Sequence, residues 1–218
     1  MLTGTNDFDK PRRGRCERCG RPLVTCLCSL VAPVENRVEV LVLQHPLEQL
    51  QAKGTARLLT LSLRCSRLVV GEQFNHEVLQ ALLHGPSRDG RAKQPLLLYP
   101  SEAHPHSQGP ASREPAPTGP PAALRLVVLD GTWRKSRKML AINPLLQSLP
   151  RLSLAEPPPS RYRVRRAEQT QQRSTLEATL LALQQLEGSA EPYAPLWAGF
   201  DAMVTRLARQ SRTQKPAG

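Results

Sequence analysis

Four of the five cysteines in this 218-residue chain fall within thirteen residues, as Cys16-Glu-Arg-Cys19 and Cys26-Leu-Cys28. The spacing C-x2-C-x6-C-x-C lets four thiolates close around one tetrahedral zinc ion, and the loop between the two pairs is too short to build a competing core. Gly20 and Pro22 supply the turn that brings the chain back. An odd cysteine count with four so clustered suits metal ligation in a reducing compartment better than a disulfide framework. A fully thiolate site keeps no open position, so the expected zinc is structural. Arg12, Arg13, Arg15, Arg18 and Arg21 surround the cluster and read equally as phosphate contacts or as solvated basic surface. Cys65 stands alone and is expected to be a buried small residue, not a nucleophile.

Residues 1–36 form a compositional unit of Cys, Arg and Pro with little periodicity. From Arg37 the pattern changes to short apolar runs alternating with helical stretches. Expected strands are Arg37 to Leu43, ended by Gln44-His45-Pro46; Ser66 to Val70; Pro95 to Tyr99, stopped by Pro100; Leu124 to Leu129; and Arg151 to Ala155. Expected helices are Glu48 to Leu63, Glu77 to His84, Arg134 to Ala141, a helix from the capping-box pattern Ser174-Thr-Leu-Glu177 to about Leu186, and Pro195 to Gln210. In the Ser174 helix, Leu176, Leu180, Leu183 and Leu186 mark the buried side. This alternation predicts an α/β domain over 37–211 with a mainly parallel sheet. Residues 102–123 carry six prolines and no hydrophobic period, which reads as an exposed Pro-rich loop.

In open parallel sheets the ligand sits outside the carboxyl ends of the strands. Three segments therefore come first as site candidates: those ending at His45-Pro46, Tyr99-Pro100 and Asp130-Gly131. The net charge of +12, from 30 Lys and Arg against 18 Asp and Glu, favours a polyanionic partner, nucleic acid before an anionic membrane. Eight aromatics are too few for the stacking sheets of RRM or OB modules. No apolar run approaches the roughly 18–20 residues that span a bilayer. The first ten residues, with Asp7, Asp9 and Lys10, do not read as a secretory signal, so a cytoplasmic protein is expected.

Asp130-Gly131-Thr132-Trp133 follows the clearest strand directly. A carboxylate delivered there meets backbone amides and a ligand crevice, making Asp130 the leading catalytic candidate. The alternative is a helix cap, which Asp130 or Thr132 would fill equally well. Trp133 reads as a shield of the site or as core. His45 and Glu48 suit capping or packing better than ligand contact.

Asp130-Gly-Thr-Trp133 resembles the D-x-T-W signature of the DTW-domain family, which is similar to tRNA-uridine aminocarboxypropyltransferases. Three further segments agree in order: the cysteine cluster; Gln44-His45-Pro46-Leu47-Glu48 with Thr55-Ala56-Arg57-Leu58; and Tyr162-Arg-Val-Arg165 followed by Ser174-Thr-Leu-Glu-Ala178. The resemblance covers residues 15–187. Gly54 is a departure, since family members often carry Asn before the Thr, and the Pro-rich stretch looks like a lengthened loop.

The resemblance implies a SPOUT-like fold with a trefoil-knotted C-terminal half, against the general rule that chains are unknotted. It implies S-adenosylmethionine held among three loops: Leu98, Tyr99, Pro100 and Ser101; Asp130, Gly131, Thr132 and Trp133; and Leu154 to Tyr162, with Ser174 and Thr175 behind. The implied reaction moves the 3-amino-3-carboxypropyl group onto N3 of a tRNA uridine, with Asp130 as base or as ligand of the α-amino group. Arg134, Lys135, Arg137 and Lys138, with Arg161, Arg163, Arg165 and Arg166, are the expected RNA contacts, some of them instead gripping the co-substrate carboxylate. Two rivals stand beside this reading: an RNA methyltransferase on the same scaffold, and a non-catalytic zinc-dependent RNA-binding protein.

Overall fold

The computed structural model describes residues 14–87, 89–100, 119–154, 157–162 and 173–213. Ser101, Arg163, Arg165, Arg166 and most of the Pro-rich stretch lie outside the described residues. Five strands, β1 (Glu39–Gln44), β2 (Ser66–Val70), β3 (Gln94–Leu98), β4 (Leu124–Asp130) and β5 (Arg151–Leu152), form one sheet in the order β2-β1-β4-β3-β5. Every pairing is parallel. The helices are α1 (Ala56–Ser62), α2 (His76–His84), α3 (Trp133–Ile142), α4 (Pro144–Gln147), α5 (Thr175–Glu187) and α6 (Ala194–Thr213).

The sheet is buried on both faces, which explains why Val40–Leu43 of β1 and Leu126–Leu129 of β4 are apolar on both sides and do not alternate with polar residues. All seven residues of β4 are buried. Val40, Val42, Leu126 and Val128 face one core with Leu58 and Leu59 of α1, Leu176, Leu180 and Leu183 of α5, and Phe200 and Met203 of α6. Leu41, Leu43, Val127 and Leu129 face a second core with Leu79 and Leu83 of α2, Met139 of α3 and Leu146 of α4. The cysteine-bearing segment joins the first core through Leu27, Leu30 and Val34. A Cβ on Gly199 would stand 2.5 Å from the Leu30 carbonyl oxygen, so a glycine is what lets α6 lie this close to that segment.

Two expectations fail. The helix expected over Glu48 to Leu63 shrinks to Ala56–Ser62. Pro46–Glu48 is instead a short 3-10 turn, and the Gly54 amide closes a turn onto the Gln51 carbonyl at 2.9 Å. Leu50, counted as part of the apolar period, is 72% exposed. Cys65, expected to be buried, is exposed. Its amide donates to Asn36 Oδ1 and its carbonyl accepts from Asn36 Nδ2, both at 2.9 Å, and the thiol is left outside the sheet. Helix α4 was not anticipated, and β5 is shorter than the expected Arg151 to Ala155.

Arg125 points from β4 into the second face and is 4% exposed. Its guanidinium donates to Glu39 Oε2 at 2.7 and 2.9 Å. It also donates to the carbonyls of Leu82, Leu83 and Gly85 at 2.7, 2.9 and 3.1 Å, satisfying the C-terminal end of α2. Arg125→Met is expected to strand those acceptors and cost about 2–3 kcal/mol, below the 3–5 of a fully buried pair because Glu39 keeps some solvent. Thermal unfolding should show a fall of roughly 5–10 °C.

Candidate functional site

The cysteine segment folds as a knuckle. Gly20 has φ 68°, in the left-handed region, and its amide donates to the Cys16 carbonyl at 2.8 Å. This turn brings Cys16 Sγ to 3.5 Å from Cys28 Sγ and Cys19 Sγ to 3.7 Å from Cys26 Sγ. All four sulfurs lie within 4.8 Å of one another. Zinc with bonds of about 2.3 Å sets neighbouring sulfurs about 3.8 Å apart, so the donor set fits a tetrahedral ion. The thiols share protons unevenly. The Cys19 backbone amide, then the Cys28 side chain, pull Cys16 down to about 6, while its hydrogen bond with Cys16 pushes Cys28 up to about 12. Ionising all four thiols at these distances would need a cation among them.

Of the knuckle's basic residues Arg15 and Arg18 are exposed, Arg12 and Arg13 lie outside the described residues, and Arg21 works inward. Arg21 is buried, and burial lowers the pKa of its guanidinium. It donates to the Ala52 carbonyl at 2.6 Å and to the Gly54 carbonyl. Arg57 of α1 returns the link by donating to the Arg18 carbonyl at 2.6 Å. The loop before α1 is also held by the Tyr162 hydroxyl, which donates to the Lys53 carbonyl at 2.6 Å. Gly54 thus contributes its backbone. Loop 52–55 then meets α5, where the Leu176 amide donates to Thr55 Oγ1 at 3.2 Å.

The carboxyl edge of the sheet is where the connections diverge: β1 leads outward to β2, while β4 leads past β3 to β5. At that crevice Gln44 and Asp130 are register partners. Asp130 is only 5% exposed. Gln44 Nε2 donates to Asp130 Oδ2 at 2.8 Å and Thr175 Oγ1 donates to Oδ1 at 2.6 Å. The helix cap is supplied instead by Thr132, which accepts from the Lys135 amide at 3.4 Å, so Asp130 faces the crevice. Gln44 has no role assigned from the sequence; its signals are its place in the Gln44-His45-Pro46-Leu47-Glu48 segment and its position as the polar residue after Val40–Leu43.

His45 caps the 3-10 turn, its Nδ1 accepting from the Leu47 amide at 3.1 Å. That leaves Nε2 to donate to Glu72 Oε1 at 3.1 Å. Lys138 binds the same oxygen at 2.9 Å, and Lys138 first, then His45, hold the Glu72 carboxyl below its usual range. Lys135 reaches the buried Glu48 at 2.7 Å. Of the four cations after the signature, the two lysines are therefore tied down within the protein, while Arg134 and Arg137 are exposed on α3.

The expected capping box at α5 is present, between Ser174 and Glu177. Glu177 does more than cap, since it also accepts from the Arg161 amide at 2.7 Å and from the Ser160 hydroxyl at 3.0 Å. It thereby fastens residues 160–161 to the helix. Tyr162 turns into the core, stacked on Phe200 with centroids 5.8 Å apart, and Leu154 packs against the same core. Arg161 lies over the Trp197 ring at 4.8 Å and pairs with Asp201 at 3.1 Å. Tyr99, Asp130, Trp133 and Thr175 gather at the ends of β3 and β4. Trp133 is not core: it stacks on Tyr99 with centroids 5.3 Å apart and planes 14° from parallel.

Fold and site together define a parallel α/β domain with a polar cluster of Gln44, Asp130 and Thr175 at its strand ends and a four-cysteine cluster able to hold a metal ion. The chain belongs to the DTW-domain family, whose profile matches residues 13–208. It is 33% identical over 204 residues to a Drosophila melanogaster protein named tRNA-uridine aminocarboxypropyltransferase 2, covering 87% of this chain and 73% of that one. Proteins of the same name from Macaca fascicularis and Mus musculus are 28% and 29% identical over 181 residues. This chain spans 57% of their length, and the match covers 81% of this chain. No solved structure matches.

Proposed function

We propose that this chain transfers the 3-amino-3-carboxypropyl group of S-adenosylmethionine to N3 of a tRNA uridine, leaving methylthioadenosine. The observation that carries the reading is Asp130, a carboxylate clamped between Gln44 and Thr175 at the β1/β4 crevice, in a chain with relatives bearing that activity in their names. The domain is SPOUT-like with a knotted C-terminal half over 37–211. Residues 1–36 form its zinc knuckle. The zinc is structural, the partner is tRNA and the compartment is the cytoplasm; among the described residues no helix is long and apolar enough to cross a membrane.

The donor set suits the co-substrate. Asp130 is an anion for the α-ammonium group, the backbone groups of Leu98–Pro100 and 131–133 suit adenine and ribose, and the nearby arginines suit the carboxylate. The sulfonium makes each attached carbon electrophilic, so the protein's task is to aim one carbon at the base and turn the methyl group away. In the transfer the C–S bond to the aminocarboxypropyl group breaks, an N3–C bond forms, and the N3 proton passes to solvent. Gln44 and Thr175 each donate to one oxygen of Asp130 and hold it in a fixed orientation, which suits a ligand of the α-ammonium group.

Purified protein incubated with S-adenosylmethionine and unmodified tRNA is expected to yield aminocarboxypropyluridine and methylthioadenosine by mass spectrometry. A methylated nucleoside with S-adenosylhomocysteine would assign methyl transfer instead. No product from metal-loaded, tRNA-binding protein would leave a binding module.

A further inference from the structure

The Tyr99–Trp133 pair offers a surface that the co-substrate loops do not use up. Tyr99 is buried at the end of β3 and backs the Trp133 ring in near-parallel contact. Trp133 is nonetheless 41% exposed. Its backbone is fixed as the first residue of α3, directly after the Thr132 cap and three residues from Asp130. An exposed indole backed by a second ring suits the stacking of a flat base. The Arg137 guanidinium lies over the Trp133 ring at 5.9 Å from its centroid, near the outer limit of a cation–π contact, on an exposed side chain that can swing aside to a phosphate and yield its place over the ring to a base. Arg134 is exposed on the same turn.

We infer that Trp133 is the stacking platform for the uracil base that receives the transferred group, with Arg134 and Arg137 holding the phosphates on either side. The inference rests on the proposed tRNA-uridine reading and adds the element that presents the base. Eight aromatics cannot tile a sheet for a long single strand, yet one backed ring suffices for one base. Stacking fixes the plane of the uracil, and the phosphate contacts on either side limit its rotation within that plane.

The chain contains two tryptophans, so the W197F protein reports Trp133 alone by fluorescence. A short oligouridylate is expected to quench that signal, while an abasic ribose-phosphate oligomer of equal length and S-adenosylmethionine alone do not. Equal quenching by the abasic oligomer would reduce the ring to a phosphate neighbour and overturn the inference. Quenching by S-adenosylmethionine alone would assign the ring to the co-substrate, with the same consequence. In turnover, Trp133→Leu should raise KM for tRNA about tenfold, as expected for one lost stack, with KM for S-adenosylmethionine unchanged and Trp133→Phe close to wild type. An unchanged KM for tRNA in a folded Trp133→Leu protein would also overturn it. Failure of the wild-type chain to make aminocarboxypropyluridine would instead sink the functional reading, and the fluorescence experiment would still report on the platform.

Discussion

Asp130→Asn should leave the fold intact and remove co-substrate binding. The amide has the shape of the carboxylate, and both neighbours can adapt: the Thr175 hydroxyl can rotate from donor to acceptor, and the Gln44 amide can turn over. These two adjustments keep the Gln44 and Thr175 contacts paired, so the cost in stability should be small, about 1 kcal/mol. What disappears is a negative charge in a crevice with little water, facing the position we assign to an ammonium group. Truncating one side of a buried charge-assisted contact costs about 2–5 kcal/mol, which corresponds to a loss of roughly 30- to 4,000-fold in affinity for S-adenosylmethionine. Isothermal titration on the variant reads this directly. A variant that binds the co-substrate normally but turns over slowly would make Asp130 the base for the N3 proton, a role worth about 10²- to 10⁴-fold in rate.

Stripping the metal should have the largest effect on stability. The knuckle is not an appendage hanging from the domain: Leu27, Leu30 and Val34 belong to the core under β1 and β4, and Arg21 holds the Ala52 and Gly54 carbonyls in the loop before α1. That loop in turn receives the Leu176 amide and the Tyr162 hydroxyl. Without a cation the four thiols cannot all ionise at these distances, and the turn at Gly20 loses the bonds that close it. Structural zinc contributes about 10–16 kcal/mol of apparent binding energy in small zinc-finger peptides, of which a larger domain loses a part on chelation. A fall in melting temperature of about 10 °C or more is expected with a strong chelator. The same treatment should release one zinc per chain by elemental analysis, and Cys19→Ser should reproduce the loss. A protein that carries no metal and melts unchanged in chelator would show that the four thiols pack without an ion.

What could be read from the sequence was what local chemistry decides. The capping box at Ser174 and Glu177 lies within one helical turn, and Leu126 to Leu129 is a continuous apolar run because both faces of the sheet are covered. Asp130 stood out because it ends that run. The cysteine cluster depended only on spacing. By contrast, the helix expected from Glu48 failed because leucine spacing does not reveal which leucines find a core, and Leu50 finds none. The clamp on Asp130 joins residues 86 and 45 positions away, and nothing near Gln44 in the chain announces its partner. Likewise the four cations after the signature look equivalent until Glu48 and Glu72, from the segments that follow β1 and β2, pair with Lys135 and Lys138. Arg21 looked like one more surface cation, and only the packing of the knuckle against the loop before α1 makes it structural.

The most direct test of the central claim follows the atoms of the co-substrate. Two preparations of S-adenosylmethionine, one labelled in the methyl group and one in the carboxyl carbon of the methionine moiety, are incubated with the protein and unmodified tRNA. The carboxyl label is expected to enter the tRNA and the methyl label to leave with methylthioadenosine, with both patterns lost in Asp130→Asn. Methyl label in the tRNA, with the carboxyl label left behind in S-adenosylhomocysteine, would contradict the account.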